Sequence, residues 1–281
     1  MATFHQVLKD AEKKARTFGK ESSACKLLLL HFSGLTSSEL YLSLDKEMKE
    51  DNLKLFDEAL NKYITKNIPV QYLIGYVYFY GYQFLVDEGV LIPRYETEEL
   101  VANVLIQYDE LFQGEKVRLV DIGTGSGAIA LSLALEDRNL EVSATDISSE
   151  ALEVARKNNE HLNAHVTFYQ GDMIEPVLGQ KFDILVSNPP YIPSSEIVDS
   201  IISENEPHVA LFGGDDGMKF YEIILKNAHQ ILNPKNFLAF EHAYDKQEEM
   251  HRLAKHYFPS ARIYTLKDMQ GKDRMTFVVN E

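Results

Sequence analysis

Apolar residues recur every three or four positions over Phe4–Thr17, Ser22–Phe32, Ser37–Leu44 and Asn52–Lys66, with polar breaks between them. That spacing predicts four amphipathic helices. The period changes at Tyr76: Tyr76–Val90 alternates aromatic and polar residues around Gly81, which predicts a β-hairpin. A helix is expected over Glu96–Tyr108, followed by strands at Val117–Ile122, Glu141–Thr145, His165–Gln170 and Phe182–Val186 in four strand–helix units. A strand at Phe237–Glu241, a helix at Lys246–His256 and strands at Arg262–Leu266 and Met275–Val279 complete the series. Alternation of this kind implies an α/β domain with a mainly parallel, seven-stranded sheet covered by helices on both faces. The expected organisation is a small all-α N-terminal domain over 1–74, a β-hairpin linker over 75–92 and the α/β domain over 93–281.

In such sheets ligands bind beyond the carboxyl ends of the strands, and the chemistry-bearing residues fall there. Gly123-Thr124-Gly125-Ser126-Gly127 follows the first long strand and opens the helical stretch Ala128–Leu135. Glycines let backbone approach a ligand closely, and a helix N-terminus offers N–H groups to an anion. With Ala128 in place of the last glycine the spacing also fits a dinucleotide fingerprint. Asp146 lies about twenty residues on, where a carboxylate can accept ribose hydroxyls; its bland reading is a cap for the helix near Ser149. Asp172, after Gly171, is placed to accept an adenine amino hydrogen or to serve as a turn residue.

Asn188-Pro189-Pro190-Tyr191 follows the apolar run Phe182–Val186 and is the most specific feature of the chain. An amide or aromatic amino nitrogen is a poor nucleophile because its lone pair is delocalised; the amide rotation barrier of about 18–20 kcal/mol gauges that conjugation. The side-chain oxygen of Asn188 and the carbonyl of Pro189 offer two acceptors for one planar NH2, which would favour positive charge growing on its nitrogen. Pro190 has no N–H and a fixed φ, leaving the Pro189 carbonyl free. Tyr191 supplies a ring face that favours a nearby cation by about 0.5–2 kcal/mol. A plain turn is the alternative reading of the Pro-Pro pair.

Composition narrows the partners. Residues 1–85 carry 11 Lys and Arg against 10 Asp and Glu, and the remainder 17 against 33, so the α/β part is strongly acidic. A nucleic-acid duplex calls for a basic footprint, and a protein substrate is therefore favoured. No run approaches the roughly 20 apolar residues of a membrane span, and Met1–Lys20 has no cleavable apolar core. The single cysteine, Cys25, precludes an internal disulfide and fits a reducing cytoplasm; it reads as a packing residue. Glu96, Glu98 and Glu99 read as first-turn acids offsetting a helix dipole by about 0.3–1 kcal/mol each. His161 and His165 lack a third ligand at metal-like spacing, so no metal is expected.

The glycine loop, Asp146, Gly171-Asp172 and Asn188–Tyr191 together resemble class I S-adenosylmethionine-dependent methyltransferases acting on planar nitrogens. More narrowly, the chain resembles the HemK/PrmC family of peptide chain release factor glutamine methyltransferases. That match rests on Pro69–Gly75, on Leu91-Ile92-Pro93-Arg94-Tyr95-Glu96-Thr97-Glu98, on Asn205-Glu206-Pro207 with Ala210–Gly214, and on Gly271-Lys272-Asp273-Arg274. It implies a Rossmann-like fold, a methyl transfer from S-adenosyl-L-methionine to the glutamine side-chain nitrogen of the Gly-Gly-Gln motif in class 1 release factors, and S-adenosyl-L-homocysteine as product. It further implies that Gly123, Thr124, Gly125, Ser126, Gly127, Asp146, Asp172, Met173 and Asn188 hold the cofactor. Asn188, Pro189, Pro190 and Tyr191 would bind the substrate amide, with Arg94 and Thr97 as further site residues and residues 1–74 recognising the release factor. Expected with this are a monomer, no nucleic acid or membrane partner, and a cytoplasmic location. Tyr95, Met173 and Ala243 depart from the family's usual proline, aromatic or leucine, and glycine. Other readings are methylation of a different planar nitrogen, a dinucleotide-dependent oxidoreductase, or a non-catalytic S-adenosylmethionine sensor.

Overall fold

The computed structural model describes residues 2–281, which form two compact units. The smaller holds the described residues up to Tyr76 together with Val198–Asn205; the larger holds Val77–Ile197 and Glu206–Glu281.

The smaller unit is helical: α1 (Phe4–Thr17), α2 (Ser23–Ser33), α3 (Ser37–Leu42), α4 (Glu50–Lys66) and α5 (Val70–Ile74). Phe4, Val7, Ala11 and Ala15 place one face of α1 in a core with Leu28, Leu29, Phe56, Leu60 and Tyr63. Thr3 starts α1 with a reciprocal cap: its hydroxyl accepts from Gln6 N at 3.3 Å, and Gln6 Oε1 accepts from Thr3 N at 3.1 Å. Such a box satisfies two of the four orphan N–H groups of a helix start. The five-residue α5 lies below the length at which apolar period is legible; Pro69 opens it and Gly75, at φ 82°, closes it. Asn67, left-handed at φ 55°, ends α4. Its side chain donates to Glu204 Oε2 at 3.0 Å, and Asn205 Nδ2 donates to its carbonyl at 2.9 Å, so a segment far along the chain joins this unit.

The hairpin comes next, β1 (Tyr76–Phe79) and β2 (Tyr82–Leu85), all but Tyr76 within the larger unit. Tyr80 and Gly81 both have positive φ, 50° and 81°, the backbone of the turn whose twist matches two-residue hairpins. Pairing stops at Leu85, short of the expected Val90, because Asp87 Oδ1 accepts Gly89 N at 2.9 Å and turns the chain. Then follow α6 (Tyr95–Phe112), β3 (Val117–Ile122), α7 (Ala128–Glu136), β4 (Leu140–Asp146), α8 (Ser149–His161), β5 (Thr167–Gln170) and β6 (Phe182–Ser187). The segment α9 (Ser200–Asn205) belongs to the helical unit. The remaining elements are α10 (Lys219–Asn227), β7 (Leu232–Glu241), α11 (Gln247–Tyr257), β8 (Arg262–Lys267) and β9 (Asp273–Asn280).

These seven strands run in the order β5-β4-β3-β6-β7-β9-β8, parallel from β5 to β7, with β9 antiparallel to both its neighbours. The inner strands are apolar throughout because alternate side chains enter opposite cores. Leu119, Ile184 and Phe237 face one core; Val120, Leu185 and Leu238 face the other. From β3 the chain moves outward to β4 and β5, then returns to place β6 on the other side. The strand order reverses between β3 and β6, and open α/β sheets bind ligands at such a crevice.

Candidate active site

A cavity of about 1040 Å³, counting its open mouth, lies at this crevice and is lined wholly by the larger unit. Gly123, Thr124, Gly125, Ser126, Asp146, Asp172, Met173, Asn188, Pro190, Arg94 and Thr97 all contribute to its wall. Gly127, Pro189 and Tyr191 do not line it.

Gly127 is buried at the start of α7 with φ 84°. A Cβ there would stand 2.8 Å from Leu131 Cδ1 and 3.3 Å from Ala155 Cβ, so this glycine permits packing within the helical layer. Pro189 is buried. Tyr191 packs against the second core, and burial pushes its hydroxyl up to about 12, which leaves it protonated at neutral pH. The backbone behind it is held by the 210–214 segment: Gly213 N donates to the Ile192 carbonyl at 2.9 Å, and a Cβ at Gly213 would stand 2.4 Å from the Pro190 carbonyl oxygen.

The glycine loop differs from the anion cradle expected of it. Gly123 N and Thr124 N both donate to the Thr145 carbonyl at 2.9 Å, Gly127 N donates to the Thr124 carbonyl at 2.9 Å, and Gly125 N donates to Asp146 Oδ2 at 2.8 Å. A phosphate cradle needs its N–H groups aimed at the ligand; here three are turned to β4 and the fourth, that of Gly127, back onto the loop. Asp146 also accepts Ser148 N at 2.9 Å, while Ser148, not Asp146, caps α8 by accepting Ala151 N at 3.1 Å. Burial raises the Asp146 pKa, and hydrogen bonds from Ser148 and Gly125 oppose that shift. Asp172 is exposed at the rim. Met173 has φ 45°, and its carbonyl accepts the Thr145 hydroxyl at 2.9 Å.

Opposite the glycine loop, Asn188 Nδ2 donates to Thr97 Oγ1 at 3.2 Å. Its NH2 is engaged with the protein, and its carbonyl oxygen is the acceptor left for the cavity. Arg94 ends the preceding loop and is paired at 2.6 Å with Glu206, whose side chain is 1% exposed; Glu206 Oε2 also accepts Ile92 N at 3.3 Å. One buried carboxylate thus ties the 89–94 loop to the 206–210 wall. Tyr95 is 76% exposed at the first position of α6. That position favours proline in helices generally and here accepts a tyrosine in its place.

Several side chains bear on the site that the motifs do not single out. Asp121, at the end of β3, is fully buried; its Oδ2 accepts the Thr124 hydroxyl at 2.7 Å, and burial pushes its carboxyl up to about 7. Glu241, closing β7, is buried and likewise pushed up to about 7. A carboxylate ending an apolar strand was their common clue. Glu206 lay inside a recognised motif but gave no hint of its ion pair. Glu99 serves structure, accepting Met269 N at 3.1 Å. His161 and His165 are exposed, and no group of metal-binding side chains exists among the described residues. Cys25 is buried, its thiol pushed up to about 11 by desolvation. No helix among the described residues is long and apolar enough to cross a membrane.

Sheet order and crevice define a class I methyltransferase fold. A methyltransferase from Pyrococcus furiosus shares it, with a TM-score of 0.51 at 21% identity over 81% of this chain and 95% of that one. Residues 6–75 match the PrmC N-terminal domain and residues 100–213 the methyltransferase small domain. Release factor glutamine methyltransferases of Bacillus cereus and Bacillus subtilis are 41% and 43% identical to this chain, covering 99% and 98% of it and 99% and 96% of themselves. The chain belongs to the release factor glutamine methyltransferase family.

Proposed function

We propose that this chain methylates the side-chain nitrogen of the Gly-Gly-Gln glutamine in class 1 release factors, using S-adenosyl-L-methionine and releasing S-adenosyl-L-homocysteine. The observation that carries the reading is one cavity lined by both the glycine loop with Asp146 and the strand-end Asn188-Pro190.

The residues present fit the methyl donor. A Cβ at Gly123 or Gly125 would meet nothing within 4 Å, so bare backbone gives room to a ligand. Asp146 and Asp172 supply carboxylates for hydroxyl and amino groups, and Met173, Ile129, Ile147 and Phe220 supply apolar surface, the mixture an adenosine requires. Gly123–Ser126, Asp146, Asp172 and Met173 would hold the donor, which supplies an electrophilic methyl on a sulfonium. The engaged loop N–H groups argue against a pyrophosphate and hence against a dinucleotide.

Asn188, through its free oxygen, would receive an N–H group of the glutamine, with Pro190 beside it in the cavity wall and Tyr191 and the buried Pro189 setting the backbone behind it. Orientation contributes most: holding two reactants in line removes roughly 7–11 kcal/mol from a bimolecular barrier. No base need act before transfer, because the nitrogen becomes acidic once it is methylated and its proton can pass to solvent.

Residues 1–74 recognise the release factor in this reading, and residues 75–92 link them to the catalytic part. The acidic excess beyond residue 85 supports a protein substrate over nucleic acid. A cavity lined by one compact unit supports action as a monomer, and the lone buried cysteine fits the cytoplasm. The test is mass spectrometry of a release factor incubated with enzyme and donor. One added methyl on the Gly-Gly-Gln glutamine is expected; methylation elsewhere, or none, would refute the reading.

A further inference from the structure

We propose that Glu241 is a positioning residue: its carboxylate sets the direction of the Asn188–Thr97 hydrogen bond, so that Asn188 keeps its oxygen, not its NH2, toward the substrate amide. This rests on the role proposed for Asn188.

Glu241 is the last residue of β7, and its backbone is fixed on two sides. It pairs with Met275 of β9, and the Tyr221 hydroxyl of α10 donates to its carbonyl at 2.7 Å. The side chain is turned inward, with the whole residue 2% exposed and Oε2 lacking a hydrogen-bond partner. Leaving such an atom unpaired costs about 1–3 kcal/mol, more if charged, so the carboxylate is a poor stabilising element. Ser187 pairs with Phe240, so Asn188 and Glu241 follow side by side at the ends of β6 and β7, and Thr97 is bonded to Asn188; both side chains favour the charged form of Glu241.

A hydroxyl has one hydrogen to give. Thr97 Oγ1 accepts from Asn188 Nδ2 at 3.2 Å, which leaves the Thr97 hydrogen to be donated onward. An ionised carboxylate can only accept. With the ionised Glu241 beside this pair, the order that sets no two donors against each other is Asn188 to Thr97, leaving the Thr97 hydrogen free to turn toward a carboxylate that cannot reverse it. Protonated, Glu241 gains a hydrogen of its own and can donate to Thr97, freeing the Thr97 hydrogen for Asn188. Asn188 then gains by turning its oxygen back toward Thr97 and its NH2 into the cavity. There it would meet another NH2, donor against donor, and the pocket would lose the acceptor on which it depends.

The groups facing Glu241 come from every element around it: Arg274 from β9, Glu96 from α6, Tyr191 from the loop after β6, and Tyr221 from α10. Arg274 is itself paired with the buried Asp268 at 3.3 Å. Burial dominates, pushing Glu241 up to about 7 against the pull of Thr97, Arg274 and Asn188. The change of direction therefore falls close to neutral pH.

The test compares wild type with Glu241→Gln by NMR and by kinetics. In the wild type, the Asn188 side-chain 15N–1H signals should shift with a midpoint at about pH 7; in Glu241→Gln that shift should vanish. Activity of the wild type on release factor should fall below this midpoint. Glu241→Gln should lack the acidic limb and lose on the order of 10²-fold in kcat, the scale of a misplaced reacting group, with donor Kd unchanged by calorimetry. Should Glu241→Gln fail to fold, Thr97→Val carries the test: it should lower kcat, and Thr97→Ser should restore it. Asn188 signals titrating alike in wild type and Glu241→Gln, or equal turnover by Thr97→Val and Thr97→Ser, would overturn the inference. Wild type that leaves release factor unmethylated while Asn188 still follows Glu241 would refute the functional reading and uphold this one.

Discussion

The two walls of the cavity solve the same problem differently. At the ends of β3 to β5, polar groups are settled mostly by backbone: Gly125 N and Ser148 N hold Asp146, and the Thr145 carbonyl takes two loop N–H groups, the Thr124 hydroxyl on buried Asp121 being the exception. At the ends of β6 and β7, side chains settle one another, Asn188 on Thr97 beside the buried Glu241. Backbone donors cannot turn around, whereas amides, hydroxyls and carboxyls can. The first wall is thus fixed in shape and suited to a constant ligand. The second has a direction that depends on protonation, and there orientation of the nucleophile is decided.

The contrast breaks most sharply at Asn188. Asn188→Ala should lower kcat by on the order of 10²–10³-fold, as loss of one stabilising group at a developing charge does, while calorimetric affinity for the donor stays near wild type. Equal loss of both would mean that the walls are not divided in this way. Next comes the backbone-held wall: Asp146→Ala removes a charged acceptor, worth about 1.5–3 kcal/mol, and should weaken donor binding roughly 10–100-fold. If kcat at saturating donor falls as far as in Asn188→Ala, the division fails.

Gly127→Ala sharpens the distinction between shaping the wall and lining it. A left-handed φ costs a non-glycine residue roughly 1–2 kcal/mol, and Leu131 must also yield. The expected result is a lower denaturant midpoint with donor affinity little changed once folding is corrected for; weakened affinity with unchanged stability would return Gly127 to the site. The last effect, at Asp121, depends on pH. Its folded pKa is raised from 3.8 to about 7, so the folded state holds this proton more tightly than the unfolded chain. The resulting stability is fully present below the unfolded value and is lost as pH rises through about 7. Asp121→Asn should therefore raise Tm relative to wild type at pH 8 and lose that advantage at pH 4, a crossing that thermal melts at the two pH values would reveal.

Much of this architecture was legible because local pattern carried it. The strand Val117–Ile122 and the helix Phe4–Thr17 appear at their expected bounds, each with an uninterrupted period and a clear stop. Strand β5 begins at Thr167, two residues later than expected, because Asn159 Oδ1 takes Val166 N at 3.1 Å before pairing begins. Strand β7 begins five residues early at Leu232, where it pairs with Phe182 across an irregularity that Asn233, Pro234, Lys235 and Asn236 disguise. At the site, Asn188, Asp146 and Asp172 are legible because each stands at or just past the end of a strand. Gly127 carried the same signal as Gly125, yet one faces Leu131 and the other the cavity.

By itself the sequence determined which residues end strands, the layered α/β class and the pairing of a glycine loop with a strand-end Asn-Pro-Pro-Tyr, since these follow from period and spacing along one chain. Only the tertiary structure decided which polar atoms remain free. The loop N–H groups are taken by Thr145 and Asp146, and the Asn188 NH2 by Thr97. Those partners are separated by 21 to 91 residues in sequence, and hydrogen-bond capacity is divided among neighbours in space, about which local pattern carries no information.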